Sequence, residues 1–223
     1  METTTKKIPM WVFIAILSTP FFYIMYVWNS LAAEVPLHFG IDGKADRYGS
    51  KFEFLFTMVF MFLIGLGVSW LTNNIEKIDP KRAANSGSLM KKISLLVVFF
   101  LSGMMMYTVY MVSGNETVFS PKIILVAVTL LLSFLGNLMN NVKPNYFVGF
   151  RTPWTLENEE VWRKTHHFAS RLWFFGGLVL TVLELILPSL AGVISFIAGV
   201  KILTVIPLVY SYRTYRSSKK NMA

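Results

Sequence analysis

Two charged residues sit where charge is expensive. Lys201 falls near the middle of an apolar run at 190–210, and Glu184 lies near the end of the preceding run at 168–187. A lysine at the centre of a spanning helix costs about 2.5 to 3.5 kcal/mol, while each surrounding Val, Ile, Leu or Phe contributes about −0.3 to −0.6 kcal/mol, so the run still inserts. Glu184 is the nearest candidate partner, across a tight turn at Pro188 and Ser189. The two differ in depth by about two helical turns, which a lysine bridges only in part by leaning outward. An ion pair, a lysine in a wet cavity and an ion or proton path are the readings open here. Transporters of this kind usually show more than one such residue and unwound Gly/Pro segments in corresponding halves.

A second chemical group lies in the polar segment 140–167, with Arg151, Glu160, His166 and His167. Arg151 offers a planar fork for a lipid phosphate, for a partner's carboxylate or for a glutamate of the next helix. Glu160 and His166 could act as acid and base, but no nucleophile or metal accompanies them. His166 and His167 are adjacent and so point from different faces of a helix, which rules out the paired zinc ligands of a metalloprotease. No nucleophile elbow, Walker loop or H-E-x-x-H sequence occurs. A third group, His38, Asp42 and Asp46 in the segment 32–51, has Lys44 at the alternate position and no distal glutamate, so a calcium loop is not formed. The chain has no cysteine, which removes thiolate metal sites and cysteine nucleophiles. We expect no catalytic residues, no metal and no cofactor, and hence no enzyme.

These residues are positioned by the apolar runs around them. Spans are expected at 10–28, 54–71, 93–112, 123–139, 168–187 and 190–210, each near the roughly 20 residues that cross a bilayer. Unbroken runs of this kind can pair their backbone groups in lipid only as helices. The expected fold is an all-α integral membrane bundle of six helices, organised as a single membrane domain over 1–223. The first run is too long for the h-region of a signal peptide, and further spans follow it.

Hydrophobic residues make up 54% of the 223, and the net charge of +9 lies at the ends of the apolar runs, which points to lipid and topology instead of nucleic acid. Sixteen lysines and arginines fall on one side of the alternating spans and four on the other, with Lys201 inside a span. The positive-inside rule then places both termini in the cytoplasm, the segment 140–167 inside and the segment 32–51 outside the cell membrane.

Within the outer segment, Asp42 and Gly43 mark a turn between short extended stretches, a small hairpin or ordered loop. Its functional reading is recognition of something arriving from outside, such as a peptide; the bland one is a cap on the bundle. In the inner segment Pro144 and Pro153 prevent a long helix, and the alternation of Tyr146, Val148 and Phe150 suggests an extended track. Thr155 is a suitable N-cap for an amphipathic interfacial helix starting near Leu156 and running into the fifth span. Pairs Glu159–Arg163 and Glu160–Lys164 suit its polar face, and Trp154, Trp162 and Trp173 suit interfacial anchoring.

The inner run from Asn145 through Gly149, Arg151, Thr152, Pro153, Trp154 and Thr155 to Leu156, followed by Glu160, Trp162, His166 and Phe168, resembles the signature of the SdpI family of bacterial membrane immunity proteins. The outer stretch from Pro36 through His38, Asp42 and Gly43 to Lys51 resembles a small membrane-associated domain of unknown function that commonly precedes it. The resemblance implies protection against a secreted membrane-active peptide toxin of the sporulation-delaying type. It further implies signalling, by holding a cytoplasmic transcriptional repressor at the membrane. On that basis the inner residues named above are expected to dock a ligand or partner or to lock the bundle, and Pro36, His38, Asp42, Gly43 and Lys51 to form an outer recognition loop. A membrane enzyme at the cytoplasmic interface and a small transporter are the alternatives.

Overall fold

The computed structural model describes residues 7–40, 42–79, 86–114 and 120–220. Three residues of the charge count, Lys6, Lys81 and Arg82, lie outside the described residues. Among the described residues six helices are long and apolar enough to cross a membrane: α1 (Met10–Val27), α2 (Lys51–Ile78), α3 (Gly87–Ser113), α4 (Pro121–Met139), α6 (Glu159–Ile186) and α7 (Ser189–Lys220). Between α1 and α2 stands a hairpin of β1 (Glu34–Phe39) and β2 (Ala45–Ser50), and a short α5 (Pro153–Glu157) precedes α6. Only 17% to 33% of each apolar window is buried inside the chain, so the remaining apolar surface has to be met by lipid. The protein is a multi-pass membrane bundle.

Helices α1, α2 and α3 pack with the hairpin as one group, and α4, α6 and α7 as another, with α3 touching α4 only lightly. In the first group the hairpin's Val35 enters a cluster with Ile24, Val27, Phe54, Met105 and Val109, so the hairpin closes one end of the bundle. The start of α1 and the end of α7 lie at the other end: Lys7 donates to Asn74 Oδ1 near the end of α2 (3.0 Å), and Trp154 donates to Ser211 Oγ in the last third of α7 (2.9 Å). We call the two ends the hairpin end and the motif end.

Two prolines lie inside spanning helices, and each removes the N–H that would bond the carbonyl four residues earlier. In α1, Pro20 frees the carbonyl of Ile16, which accepts from Thr19 Oγ1 (2.8 Å) and from Ser102 Oγ of α3 (2.9 Å). In α7, Pro207 frees the carbonyl of Leu203, which accepts the indole N–H of Trp173 from α6 (2.8 Å). In lipid such groups have no water to turn to, so each proline fixes a helix-to-helix bond.

The helices run past the hydrocarbon boundaries read from sequence. α2 begins at Lys51 because Ser50 and Glu53 form a reciprocal capping box at the end of β2. It continues through polar but helix-compatible residues to Glu76, whose carboxylate accepts the Gly87 N–H at the start of α3 (2.9 Å). The interfacial helix expected from Leu156 is not separate. Thr152, not Thr155, caps the short α5, and Asn158 then caps α6 by accepting from Glu160 and Val161 N–H, after which one continuous helix runs to Ile186.

α4 and α6 form the most extensive helix pair, and they meet at small residues. A Cβ on Gly177 would stand 2.8 to 3.0 Å from the backbone and side chain of Ser133, whereas one on Gly67 of α2 would meet nothing within 4 Å. Gly177→Leu should therefore lower stability by about 1 to 3 kcal/mol through overpacking, read as thermal unfolding in detergent. Gly67→Ala should cause no loss.

Candidate functional site

Apart from Glu184 and Lys201, the residues singled out by type lie toward the two ends of the bundle. At the motif end, residues 142–152 are non-helical and pack on the bundle, which obliges their polar groups to find partners. Asn145, fully buried, supplies four of them: its Oδ1 accepts the N–H groups of Phe147 (2.8 Å) and Val148 (2.7 Å), and its Nδ2 donates to the carbonyls of Lys143 (2.8 Å) and Val148 (3.2 Å). The chain therefore folds round the amide in a tight turn, where the alternation had suggested an extended track. Gly149 then takes φ +107°, and a Cβ there would collide with the ring of His166.

That contact lets the Phe150 N–H donate to His166 Nε2 (3.0 Å), while Nδ1 lies 2.8 Å from the Trp162 carbonyl. Since Nε2 accepts, Nδ1 carries the proton and the imidazole is neutral. The ring is buried and stacked on Trp162 at 4.0 Å, and Trp162 donates its indole N–H to the Val142 carbonyl (2.7 Å). Downstream, Thr155 Oγ1 donates to the Phe150 carbonyl (2.8 Å) and Thr152 caps α5, with Pro153 at its first turn. The three tryptophans expected as interfacial anchors each donate an indole N–H within the chain. Trp162 is only 1% exposed, and Trp154 and Trp173 tie α5 and α6 to α7.

The turn joins the two helix groups: Phe147 and Val148 pack against Ile75 of α2 and Met90 and Ile93 of α3, while Phe150 packs with Met139 and Ala169. Arg151 donates to the Tyr146 carbonyl (2.6 Å), forms no ion pair among the described residues, and stands at the mouth of an apolar cavity of about 560 Å³ under the turn. Glu160 is exposed and bound to Lys164 at 2.7 Å, lining a different cleft. Arg151, Glu160 and His166 do not converge, and both histidine nitrogens are already engaged. The expected Glu159–Arg163 pair is absent among the described ion pairs.

At the hairpin end, Gly43 takes φ 78° and closes the turn with Gly40, and Asp42 Oδ1 accepts the Lys44 N–H (3.1 Å). Pro36 pairs with Tyr48 and His38 with Arg47 across the strands. His38 Nδ1 meets Asp46 Oδ1 at 2.6 Å, and Arg47 reaches Glu53 at 3.1 Å. Lys51 lies over the Trp28 ring at 4.9 Å. These side chains leave an exposed polar tip on a hairpin anchored to the bundle by the buried Val35. No group of three or more metal-ligating side chains occurs among the described residues.

The two intramembrane charges are not brought together. Glu184 is 1% exposed, accepts from Ser195 Oγ of α7 (2.7 Å) and faces Gly192. Lys201 is exposed on the outer face of α7. Type and spacing had not singled out Ser211, which accepts from Trp154 at the site, or Ser102, which ties α3 to α1 elsewhere in the bundle. The signal that finds Ser102 is a proline inside a span, which creates a carbonyl in need of a donor.

Comparison with known proteins matches these two ends separately. Residues 15–63, comprising most of α1, the hairpin and the start of α2, match a domain of unknown function, DUF1648. Residues 141–211, from the turn through α6 into α7, match the SdpI/YfhL protein family. A curated relative, "Immunity protein SdpI" of Bacillus subtilis (strain 168), is 26% identical over 197 residues, covering 83% of this chain and 91% of the relative. No solved structure matches. The motif the SdpI/YfhL model covers is thus the turn that Asn145 and His166 hold.

Asn145→Ala should cost more than about 3 kcal/mol, because it leaves several buried backbone groups unpaired at about 1 to 3 kcal/mol each. Arg151→Ala, at an exposed position, should stay within about 0.5 kcal/mol. Denaturant unfolding of the detergent-solubilised protein measures both.

Proposed function

We propose that this chain is a membrane immunity protein that protects its cell against a secreted, membrane-active peptide toxin of the sporulation-delaying type. The observation that carries the reading is the match to a protein named for immunity over nearly the whole of both chains. In this reading the termini and the motif end lie in the cytoplasm, as the charge distribution favours, and the hairpin end meets the peptide.

The geometry supplies a physical route between the ends. α2 starts in a capping box on the hairpin and ends with Ile75 against Phe147 and Val148 of the turn, so one helix touches both. A peptide that shifts the hairpin shifts the helix on which the turn rests. Any movement of the turn away from the bundle would have to break the Phe150–His166 bond. The second output implied for the family, retention of a cytoplasmic repressor, would use the motif end, where α6 and α7 extend beyond the bilayer.

A catalytic reading requires Arg151, Glu160 and His166 at one cavity, and their dispersal speaks against it. A transport reading built on Lys201 and Glu184 loses its pairing.

Full-length protein expressed in cells sensitive to a sporulation-delaying-type toxin should raise survival. His38→Ala combined with Arg47→Ala should cut that protection about tenfold, the loss of about 1.4 kcal/mol of peptide binding, with membrane levels of the protein unchanged. Killing that is the same with and without the protein would overturn the reading.

A further inference from the structure

α6 carries Arg163, Lys164, His167, Phe168 and Arg171 at steps of three and four residues, so they form one stripe along the helix. The stripe lines a cleft of about 590 Å³ closed by Asn140 at the end of α4 and Tyr210 of α7. His167 is held by Asn140 Oδ1, and Phe168 stacks on Tyr210 with ring centroids 4.4 Å apart. No aspartate or glutamate lines the cleft among the described residues. Lys164 is neutralised by Glu160 at 2.7 Å, but neither Arg163 nor Arg171 has an ion pair among the described residues.

Depth decides what these arginines meet. α7 enters the bilayer at Ser189, and a hydrocarbon core of about 30 Å takes about 20 residues, which brings the far boundary to the level of Leu208 and Tyr210. The stacked Phe168–Tyr210 pair therefore marks the edge of the hydrocarbon at the motif end. Arg171 lies about one turn below that edge and Arg163 more than one turn above it, so the two guanidinium groups bracket the plane of the phospholipid headgroups. A guanidinium just below the boundary leans outward toward the headgroups, where an anionic partner favours it, and Arg171 has no ion pair among the described residues.

We propose that this cleft is a binding site for the phosphate of an anionic phospholipid of the phosphatidylglycerol type. The two guanidinium forks hold the phosphate oxygens from either side, matching their geometry in a way an ammonium does not. The Phe168–Tyr210 pair forms an apolar wall for the first carbons of an acyl chain, and the cations of the stripe repel a choline headgroup. A soluble phosphate has no reason to sit beside Arg171, below the boundary. The site is independent of the immunity reading and of which end faces the cytoplasm.

The test uses the full-length protein in detergent, with phosphatidylglycerol or phosphatidylcholine added and retained lipid read by native mass spectrometry. Wild type should hold phosphatidylglycerol about tenfold more tightly than phosphatidylcholine. Arg163→Gln with Arg171→Gln should weaken phosphatidylglycerol about thirtyfold, taking the usual increment for two basic groups at a membrane surface. Lys219→Gln with Lys220→Gln, an equal charge change on the exposed end of α7, should alter it less than about threefold. Arg171→Lys, which keeps the charge and the fold, should give an intermediate loss. Equal binding of the two lipids by wild type would overturn the proposal, as would equal losses in the two double variants. Displacement of the lipid by inorganic phosphate at the same concentration would overturn it too.

Discussion

A backbone carbonyl or N–H inside a bilayer has no water to bond, and this protein departs from plain helix at several places where that constraint applies. Pro20 and Pro207 each strand a carbonyl, and in each case the repair comes from a neighbouring helix, by Ser102 and by Trp173. The end of α6 strands the carbonyl of Leu185, which accepts from Lys122 of α4 (3.0 Å). Each repair is also a tie between helices. Because lipid chains are as apolar as the helix faces, burial of apolar surface supplies little force between helices, and such bonds together with close packing at Gly136 and Gly177 hold the bundle.

The turn at 142–152, at the motif end, shows the same pairing of backbone groups by side chains. Asn145, His166 and Thr155 between them pair the amides of Phe147, Val148 and Phe150 and the carbonyls of Lys143, Val148 and Phe150. Gly149 is needed because the left-handed backbone and the imidazole leave no room for a side chain. Phe147 and Val148 can then reach α2 and α3, so the turn closes the seam where α3 and α4 touch only lightly. The region matched by the SdpI/YfhL family is thus a fold-determining element as well as a candidate for partner binding.

Much of the architecture was legible in the sequence. The six spans follow from run length, and the hairpin follows from Asp42 and Gly43. The limits of the helices were less so, because hydropathy reports the bilayer and not the helix: Asn73, Asn74 and Glu76 are polar yet continue α2, and Arg213 and Arg216 continue α7. At the site, Thr152 and Thr155 both suit a cap, and only the backbone path decides that Thr152 serves α5 while Asn158 serves α6. The role of Asn145 could not be read from spacing, since all its partners are backbone groups. The pairing of Glu184 with Ser195 instead of Lys201 depends on the rotation of α7, which periodicity along so uniformly apolar a helix leaves undetermined.

The claim at the centre of this account is that the turn is closed and internally bonded in the resting protein. Hydrogen exchange at the Phe147, Val148 and Phe150 amides, followed in the full-length protein in a lipid bilayer disc, reports on it directly. The account predicts slow exchange at all three in wild type, with His166→Leu accelerating Phe150 selectively while the α6 amides stay protected. Exchange at the rate of an unstructured loop in wild type would contradict it.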